Sequence, residues 1–189
     1  MKTPLLFQMT EYDCGRVSLM NCISFLFERK EIPLEILESI KEHTLDMWHK
    51  GTSRKAMKKF SQWLADFSKE KNLDVECIYL DRESVTFDTV KDWVCDGGVA
   101  NLRCWHITNK HYVMISKIDN EHVYIFDPYF LESDHYGKCK HTEIIKDKPF
   151  LANRKVTIEL FKSDKKHKDF ALGPIDKREI LLIKRTYGV

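Results

Sequence analysis

The sequence predicts an α+β fold in which N-terminal helices pack on a C-terminal antiparallel sheet. Apolar residues recur at helical spacing through most of the first half, but they form short alternating or continuous apolar runs in the second half. This order of helices first and strands afterwards is typical of α+β proteins. The chain has 189 residues, of which 43% are hydrophobic and 32% charged, which suits a single domain. We expect one domain over residues 1–189, helical to about residue 97 and β-rich from about residue 98.

The first helix is predicted to begin at Cys14, where apolar residues start to recur at helical spacing. It is expected to end near Arg29 and Lys30, because basic side chains favour a helix C-terminus. A second, short helix is predicted over residues 33–40, with Pro33 in its first turn.

A third helix is predicted over residues 54–71, after the break at Gly51-Thr52-Ser53. Ser53 is a suitable N-cap for this helix, because a serine hydroxyl accepts a hydrogen bond from a free backbone N–H. Residues 73–80 alternate like a strand. A fourth helix over residues 84–95 is expected to end at the two glycines that follow.

The second half of the chain predicts the sheet. Its predicted strands are residues 99–105, 111–118, 122–126, 156–158 and 179–185. Asp119-Asn120 is expected to form the turn of a hairpin. The remainder of residues 130–178 is polar and rich in Lys and His, and it predicts loop.

Charge and cysteine usage limit the function classes. The 31 basic and 29 acidic residues give a net charge of +2, which provides no electrostatic case for nucleic acid as a partner. The sequence contains no run of about 18 apolar residues that would predict a membrane span. The apolar patch at residues 5–7 is too short for the core of a signal peptide. The six cysteines lack framework spacing and are expected to be reduced thiols. We therefore predict a soluble, cytoplasmic protein; the sequence is silent on its oligomeric state.

The segment at residues 8–15 contains parts of a cysteine-nucleophile site. Cys14 lies in the first turn of a predicted helix, where the helix dipole lowers the pKa of a thiol. Asp13 is the candidate N-cap, accepting hydrogen bonds from free backbone N–H groups. Gly15 would leave room for a substrate backbone. The Gln8 side-chain amide is expected to join the Cys14 backbone N–H in an oxyanion hole.

A base and an orienting carboxylate come from the predicted hairpin. His111 begins its first strand and Asp127 follows its second, so antiparallel pairing is expected to bring the two together. Asp127 would then hold the His111 ring in one tautomer and stabilise the imidazolium. His106 is a rival base, and the adjacent Trp105 is a candidate for the wall of a substrate pocket.

Simpler explanations stand beside these assignments. A buried cysteine, a strand histidine, an Asp-Pro turn and a surface glutamine are each common alone. Two Cys-x-His pairs, Cys104/His106 and Cys139/His141, are half-sites for zinc, but no Cys-x₂-Cys pair accompanies them. We therefore expect no metal and no cofactor. The basic run at residues 162–168 predicts a solvated loop or, alternatively, a binding site for an anionic partner.

Together these motifs resemble a known family. Gln-x₄-Asp-Cys-Gly at residues 8–15, His-Tyr-Val at 111–113 and Asp-Pro at 127–128 are similar to motifs of the bacteriocin-processing, double-glycine-leader cysteine peptidases. Gly-Thr-Ser at 51–53 also resembles the middle region of that family. The resemblance covers residues 8–130, about two thirds of the chain.

The resemblance implies a papain-like cysteine peptidase fold and a triad of Cys14, His111 and Asp127, with Gln8 at the oxyanion hole. It also implies peptide or amide hydrolysis through a thioester. Three features depart from the family: we expect a stand-alone domain without the transporter, Arg16 and Val17 stand where small residues are frequent, and residues 130–178 have no obvious counterpart. Two other functions stay open, an acyltransferase of a biosynthetic pathway, acting on an acyl substrate, and a non-catalytic papain-like binding module.

Overall fold

A computed structural model describes residues 1–44, 51–107, 109–131, 136 and 140–186. Its helices are α1 (Cys14–Leu26), α2 (Leu34–Thr44), α3 (Arg54–Lys71), α4 (Phe87–Cys95) and the short α5 (Ile158–Phe161). Its strands are β1 (Val75–Asp81), β2 (Val99–His106), β3 (Asn109–Ile118), β4 (His122–Phe126), β5 (Thr142–Ile144), β6 (Arg154–Thr157) and β7 (Glu179–Arg185).

The strands form one seven-stranded sheet in the order β1-β7-β2-β3-β4-β6-β5, and every pair in it is antiparallel. The ladder between β2 and β3 runs from Ala100 opposite Ile115 to His106 opposite Asn109. The end of β2 and the start of β3 therefore lie side by side. Because β4 is antiparallel to β3, the end of β4 also comes to this edge of the sheet.

Apolar clusters cover both faces of the sheet. On one face, here the α1 face, α1–α3 pack against strand residues that include Tyr112 and Met114. On the opposite face, here the α4 face, α4 and α5 pack against residues that include Val113 and Ile115. The alternation of side chains along β3 produces this division. Each large apolar side chain buried in either cluster contributes about 1.5–3 kcal/mol to the free energy of unfolding.

Helix α1 ends three residues before the predicted Arg29-Lys30. Phe27 already has extended backbone, with φ −117° and ψ 152°. Residues Arg29–Glu31 form a separate 3₁₀ turn, in which the backbone N–H of Glu28 donates to the Glu31 carboxylate at 2.8 Å. The basic pair therefore belongs to a second turn with its own capping box, and the prediction that it closes α1 was wrong.

Helix α3 begins and ends where the sequence predicted, and the hydroxyl of Ser53 accepts a hydrogen bond from the backbone N–H of Ala56 at 3.1 Å. Helix α4 begins at Phe87, three residues later than predicted, because Thr86 provides its cap. No helix among the described residues is both long and apolar enough to cross a membrane.

The segment over residues 130–178 holds more regular structure than the predicted single strand and loop. Strands β5 and β6 pair with each other, and β6 also pairs with β4. Ile125 of β4 lies opposite Arg154 of β6, the pairing that places Arg154 near the end of β4. The segment therefore supports the sheet edge where the predicted site residues lie.

Candidate active site

A cavity of about 430 Å³ opens where the start of α1 meets the edge formed by the ends of β2 and β4 and the start of β3. Its described lining includes Gln8, Cys14, Thr52, Arg103, Lys110 and Tyr129. His111 also lines it, so three of the predicted catalytic side chains share one cavity. The fourth, Asp127, lies behind His111 and has no exposed surface.

Cys14 is the first residue of α1, where backbone N–H groups have no partner within the helix. Cys14 as a whole is 8% exposed. Burial alone would raise the pKa of this thiol, because it disfavours the thiolate. The hydrogen bond and positive charge of His111, aided by the backbone N–H groups of Tyr112 and Gly15, outweigh burial, so the pKa of Cys14 is lowered. The site therefore favours a thiolate.

His111 connects the thiol to a carboxylate. Its Nε2 lies 2.7 Å from Asp127 Oδ1, which leaves Nδ1 for the hydrogen bond with Cys14. Burial disfavours the imidazolium, but Asp127 and Cys14 favour it more strongly and raise the pKa of His111 to about 10. This arrangement fixes the ring's orientation and stores a proton beside the sulfur.

Asp127 has other hydrogen-bond partners besides His111. The backbone N–H of Tyr129 donates to Oδ1 at 2.8 Å, and Arg154 Nη2 donates to Oδ2 at 3.3 Å. Burial would raise the pKa of Asp127, but the hydrogen bond and charge of His111, with the charges of His106 and Arg154, keep it lowered. The carboxylate therefore stays ionised although it is fully buried.

Asn153 fixes the backbone of Asp127. Its Oδ1 accepts the Asp127 backbone N–H at 2.7 Å, and its Nδ2 donates to the Asp127 carbonyl at 2.7 Å. The sequence interpretation missed both Asn153 and Arg154. One signal was present: Arg154 and Val156 alternate on the buried face of β6, where an arginine requires a carboxylate partner.

His106, the rival base, occupies a different position on the same carboxylate. Its Nε2 lies 2.8 Å from the hydroxyl of Tyr136 and 3.5 Å from Asp127 Oδ2, and its ring stacks on Phe170. The histidine that bonds the thiol is His111. The geometry therefore makes His106 a supporting neighbour of Asp127.

His106, His111 and Asp127 also place one potential metal-ligand atom each within 4.8 Å of one another. Such a set has the chemistry to hold a transition metal. The guanidinium of Arg154 already faces the same carboxylate, however, and its positive charge opposes a cation there. Of the Cys-x-His pairs, Cys104 and His106 are both buried, while Cys139 lies outside the described residues.

Gln8 lines the cavity beside Cys14, and its segment is attached to the sheet edge. Its backbone N–H donates to the carbonyl of Pro128 at 2.9 Å, directly after Asp127. Its side-chain Nε2 donates to the carbonyl of Thr10 at 2.8 Å. An amide nitrogen carries two hydrogens, so this bond uses one of them.

Asp13 stands at the N-cap position of α1 but does not cap the helix through its side chain. Its carboxylate accepts the backbone N–H groups of Met9 and Thr10 at 3.3 and 3.1 Å. The expectation that it caps free N–H groups of the helix was therefore wrong, because the reversing chain before it presents nearer donors. Asp13 instead holds the loop that follows Gln8, and it lies outside the cavity lining.

Gly15 and Trp105, the other two predicted substrate-binding residues, also lie outside the lining. A Cβ on Gly15 would stand 2.6 Å from the Cβ of Thr52, so packing against Thr52 explains this glycine. Trp105 lines an adjacent pocket, where its ring centroid is 4.1 Å from that of His167. Thr52, which the sequence interpretation did not assign to the site, does line the cavity.

The comparisons with known proteins identify the fold. No protein-family model matches the chain, and a search of curated proteins found no match. A solved structure from Bacillus anthracis, described as a C39-like peptidase, superposes with a TM-score of 0.52 and 14% sequence identity. The alignment covers 97% of this chain and 96% of that one. The chain therefore has an α+β, papain-like fold, which confirms the fold class predicted from the sequence.

Proposed function

We propose that the protein is a papain-like cysteine peptidase or amide hydrolase that acts through a thioester on Cys14. The observation that supports this most is the His111 ring, which bonds the Cys14 thiol on one side and Asp127 at 2.7 Å on the other. Nucleophile, base and orienting carboxylate are thus connected in the order that thiol catalysis needs.

The first half of the proposed reaction forms the acyl-enzyme. The Cys14 thiolate attacks the carbonyl carbon of a peptide or amide, and the carbonyl oxygen takes up negative charge. In this scheme an N–H of the Gln8 side chain and the backbone N–H of Cys14 bind that oxygen, which is supported by the position of both residues in the cavity lining. His111 then donates its proton to the leaving nitrogen, so that the C–N bond breaks and the thioester remains.

The second half releases the acid. His111, now neutral, removes a proton from water, and the resulting hydroxide attacks the thioester carbonyl. The C–S bond breaks, the free carboxylic acid leaves, and the thiolate–imidazolium pair is restored. Asp127 stabilises the imidazolium in both halves and takes no proton itself. No step of this scheme requires a metal or a cofactor.

A peptide substrate and a cytoplasmic location belong to the same proposal. The cavity of about 430 Å³ lies within the about 300–1,000 Å³ range of small-ligand sites, room enough for a few residues of an extended peptide. Each of the five cysteines in the described part of the chain is a free thiol. A reducing compartment keeps such thiols, including the nucleophile, available for reaction.

The pH dependence of alkylation at each cysteine tests this proposal. We expect iodoacetamide to modify Cys14 quickly well below pH 9, the ordinary pKa of a thiol, because its pKa is lowered. Cys77 and Cys104 should react slowly, because burial raises the pKa of Cys77 to about 12 and that of Cys104 further. His111→Ala should slow Cys14 by removing its imidazolium. Peptide mass spectrometry measures all of these rates.

The cleavage of peptides completes the test. The profile of kcat/KM against pH should be bell-shaped: activity rises as Cys14 ionises and falls near pH 10, where His111 loses its proton. His122→Ala, on the partly exposed strand position of β4, is the matched control and should change neither measurement. Equal reactivity of Cys14 and Cys77, or the same Cys14 rate in wild type and His111→Ala, contradicts the proposal.

A further inference from the structure

The cavity that Cys14 and His111 line is here called the reactive cavity. A second pocket, here the basic pocket, lies beside it and has a volume of about 240 Å³. Its described lining includes Trp105 and five lysines, Lys110, Lys165, Lys166, Lys168 and Lys177, but no aspartate or glutamate. The chain as a whole carries a net charge of only +2. Positive charge is therefore concentrated at this place.

Most of these ammonium groups lack a carboxylate partner. Lys177 pairs with Asp176 at 3.0 Å, whereas the other four lysines form no ion pair within the described part of the chain. The nearby Asp169 uses its Oδ1 to accept the backbone N–H of Ile107 at 2.9 Å. Burial lowers the pKa of Lys110, and the nearby positive charges of Arg103, Arg54 and Lys177 act in the same direction.

The basic pocket shares a lining residue with the reactive cavity, and Trp105 forms part of its wall. Lys110 lines both spaces, so an occupant of one lies next to an occupant of the other. The Lys110 Nζ is 5.8 Å from the centroid of the Trp105 ring, which also contacts His167. His167 has a φ of 59°, a left-handed conformation that costs a non-glycine residue free energy. This strained residue lies where the lysine-rich segment contacts Trp105.

We infer that the basic pocket binds acidic side chains of the substrate, so that the enzyme selects peptides with Asp or Glu close to the scissile bond. This inference rests on the proposed function, because the basic pocket shares Lys110 with the cavity that holds Cys14. It also explains the basic run at residues 162–168, for which the sequence left a solvated loop and an anion site as alternatives.

Carboxylates suit the basic pocket better than a nucleotide or a single phosphate. Its volume lies below the about 300–1,000 Å³ of pockets that hold drug-sized ligands. Its cations are lysines, point charges spread over several positions, and its described lining contains no arginine to bind a phosphate in bidentate fashion. One or two acidic side chains fit both the space and the distribution of charge.

Binding to an inactive enzyme tests the inference separately from catalysis. The probes are two short blocked peptides, one of alternating Glu and Gly and one of alternating Gln and Gly, titrated by calorimetry into Cys14→Ala protein. We expect the Glu peptide to bind about tenfold more tightly, and this preference to disappear at about 0.5 M NaCl. Adding Lys165→Gln, Lys166→Gln and Lys168→Gln should weaken Glu-peptide binding about tenfold.

A matched control separates the basic pocket from general charge. Lys55→Gln, Lys58→Gln and Lys59→Gln remove the same charge from exposed positions of α3 and should leave binding unchanged. Equal weakening by both triple variants, or no preference for the Glu peptide, overturns the inference. Tight binding of tripolyphosphate without binding of the Glu peptide also overturns it, in favour of a phosphate site.

A second readout links the basic pocket to the thiol. In wild type, the Glu peptide should slow alkylation of Cys14 by iodoacetamide, which carries no charge, while the Gln peptide should not. If the protein proves to lack peptidase activity, the binding preference and this protection still decide the inference. If peptides are cleaved without regard to acidic residues, the proposed function stands and the inference fails.

Discussion

The two faces of the sheet contribute different things to the site. The α4 face supplies the proposed base and its support: strand alternation assigns His106, His111 and Arg154 to this face, and they surround Asp127. The α1 face supplies Cys14, from the first turn of a helix packed on the opposite side. The two sets meet where β3 begins.

The two sets of residues differ in how many of their polar groups already have hydrogen-bond partners. On the α4 face the Asp127 carboxylate has partners at both oxygens, and Asn153 fixes its backbone. On the α1 face the groups that face the cavity keep unused capacity, namely the thiol and the second N–H of Gln8. We infer that the α4 face is the rigid, pre-organised half of the site and that the α1 face is the half that substrate completes.

The largest effect on activity should come from Cys14→Ala on the α1 face. Loss of the nucleophile should lower kcat by about 10⁴-fold or more, while the free energy of unfolding changes by no more than about 1 kcal/mol. Peptide cleavage and urea denaturation measure the two effects. The control is Cys22→Ala, in the core of the α1 face, which should lower stability and keep activity. Retained cleavage by Cys14→Ala excludes the thioester mechanism.

Arg154→Met on the α4 face should instead have a large effect on stability. It leaves a fully buried carboxylate without one of its cations, and breaking such a pair costs about 3–5 kcal/mol. The pKa of Asp127 is lowered in wild type and should rise in the variant. The stability that depends on the ionised carboxylate is then lost at a higher pH than in wild type as the solution is acidified. Denaturant titrations between neutral and acidic pH measure both effects.

The matched control for Arg154→Met is Arg185→Met, which breaks a partly exposed pair with Glu31 and should cost no more than about 1 kcal/mol. Similar losses for the two variants would mean that the Asp127 cluster is not a rigid, buried unit. The comparison between the faces would then not hold.

Gln8→Ala should have a smaller effect, confined to catalysis. Removal of one oxyanion donor lowers kcat by about 10²–10³-fold, but the thiolate–imidazolium pair does not include Gln8. Alkylation of Cys14 should therefore keep its wild-type rate. Gln62→Ala, on the exposed surface of α3, is the control. Parallel losses in cleavage and alkylation would show that Gln8 acts by holding the loop in place.

Local sequence signals were sufficient for the elements that depend on local interactions. The Ser53 cap and the apolar spacing after it located α3, and a continuous apolar run located β7 at residues 179–185. The end of α1 was missed because Arg29 and Lys30 suit a helix C-terminus as well as the separate turn that Glu28 and Glu31 stabilise.

The candidate site divides in the same way. Cys14, His111 and Asp127 were found because a hairpin and a helix start can be recognised from short stretches of sequence. Asn153 and Arg154 reach Asp127 through the pairing of β4 with β6, strands that are far apart in the chain. Nothing local in a polar segment specifies such a partner, and so the support of the carboxylate emerged only from the structure.

Strand β7 has a consequence for how the protein is made. It lies between β1 and β2 and pairs with both, although it is the last of the seven strands to be synthesised. A chain that leaves the ribosome from its N-terminus therefore holds β1 and β2 without the strand that joins them. Closure of the sheet must await residues 179–185, a long-range step of the kind that slows folding. During synthesis the nascent chain therefore exposes the unpaired edges of β1 and β2 until β7 pairs with both.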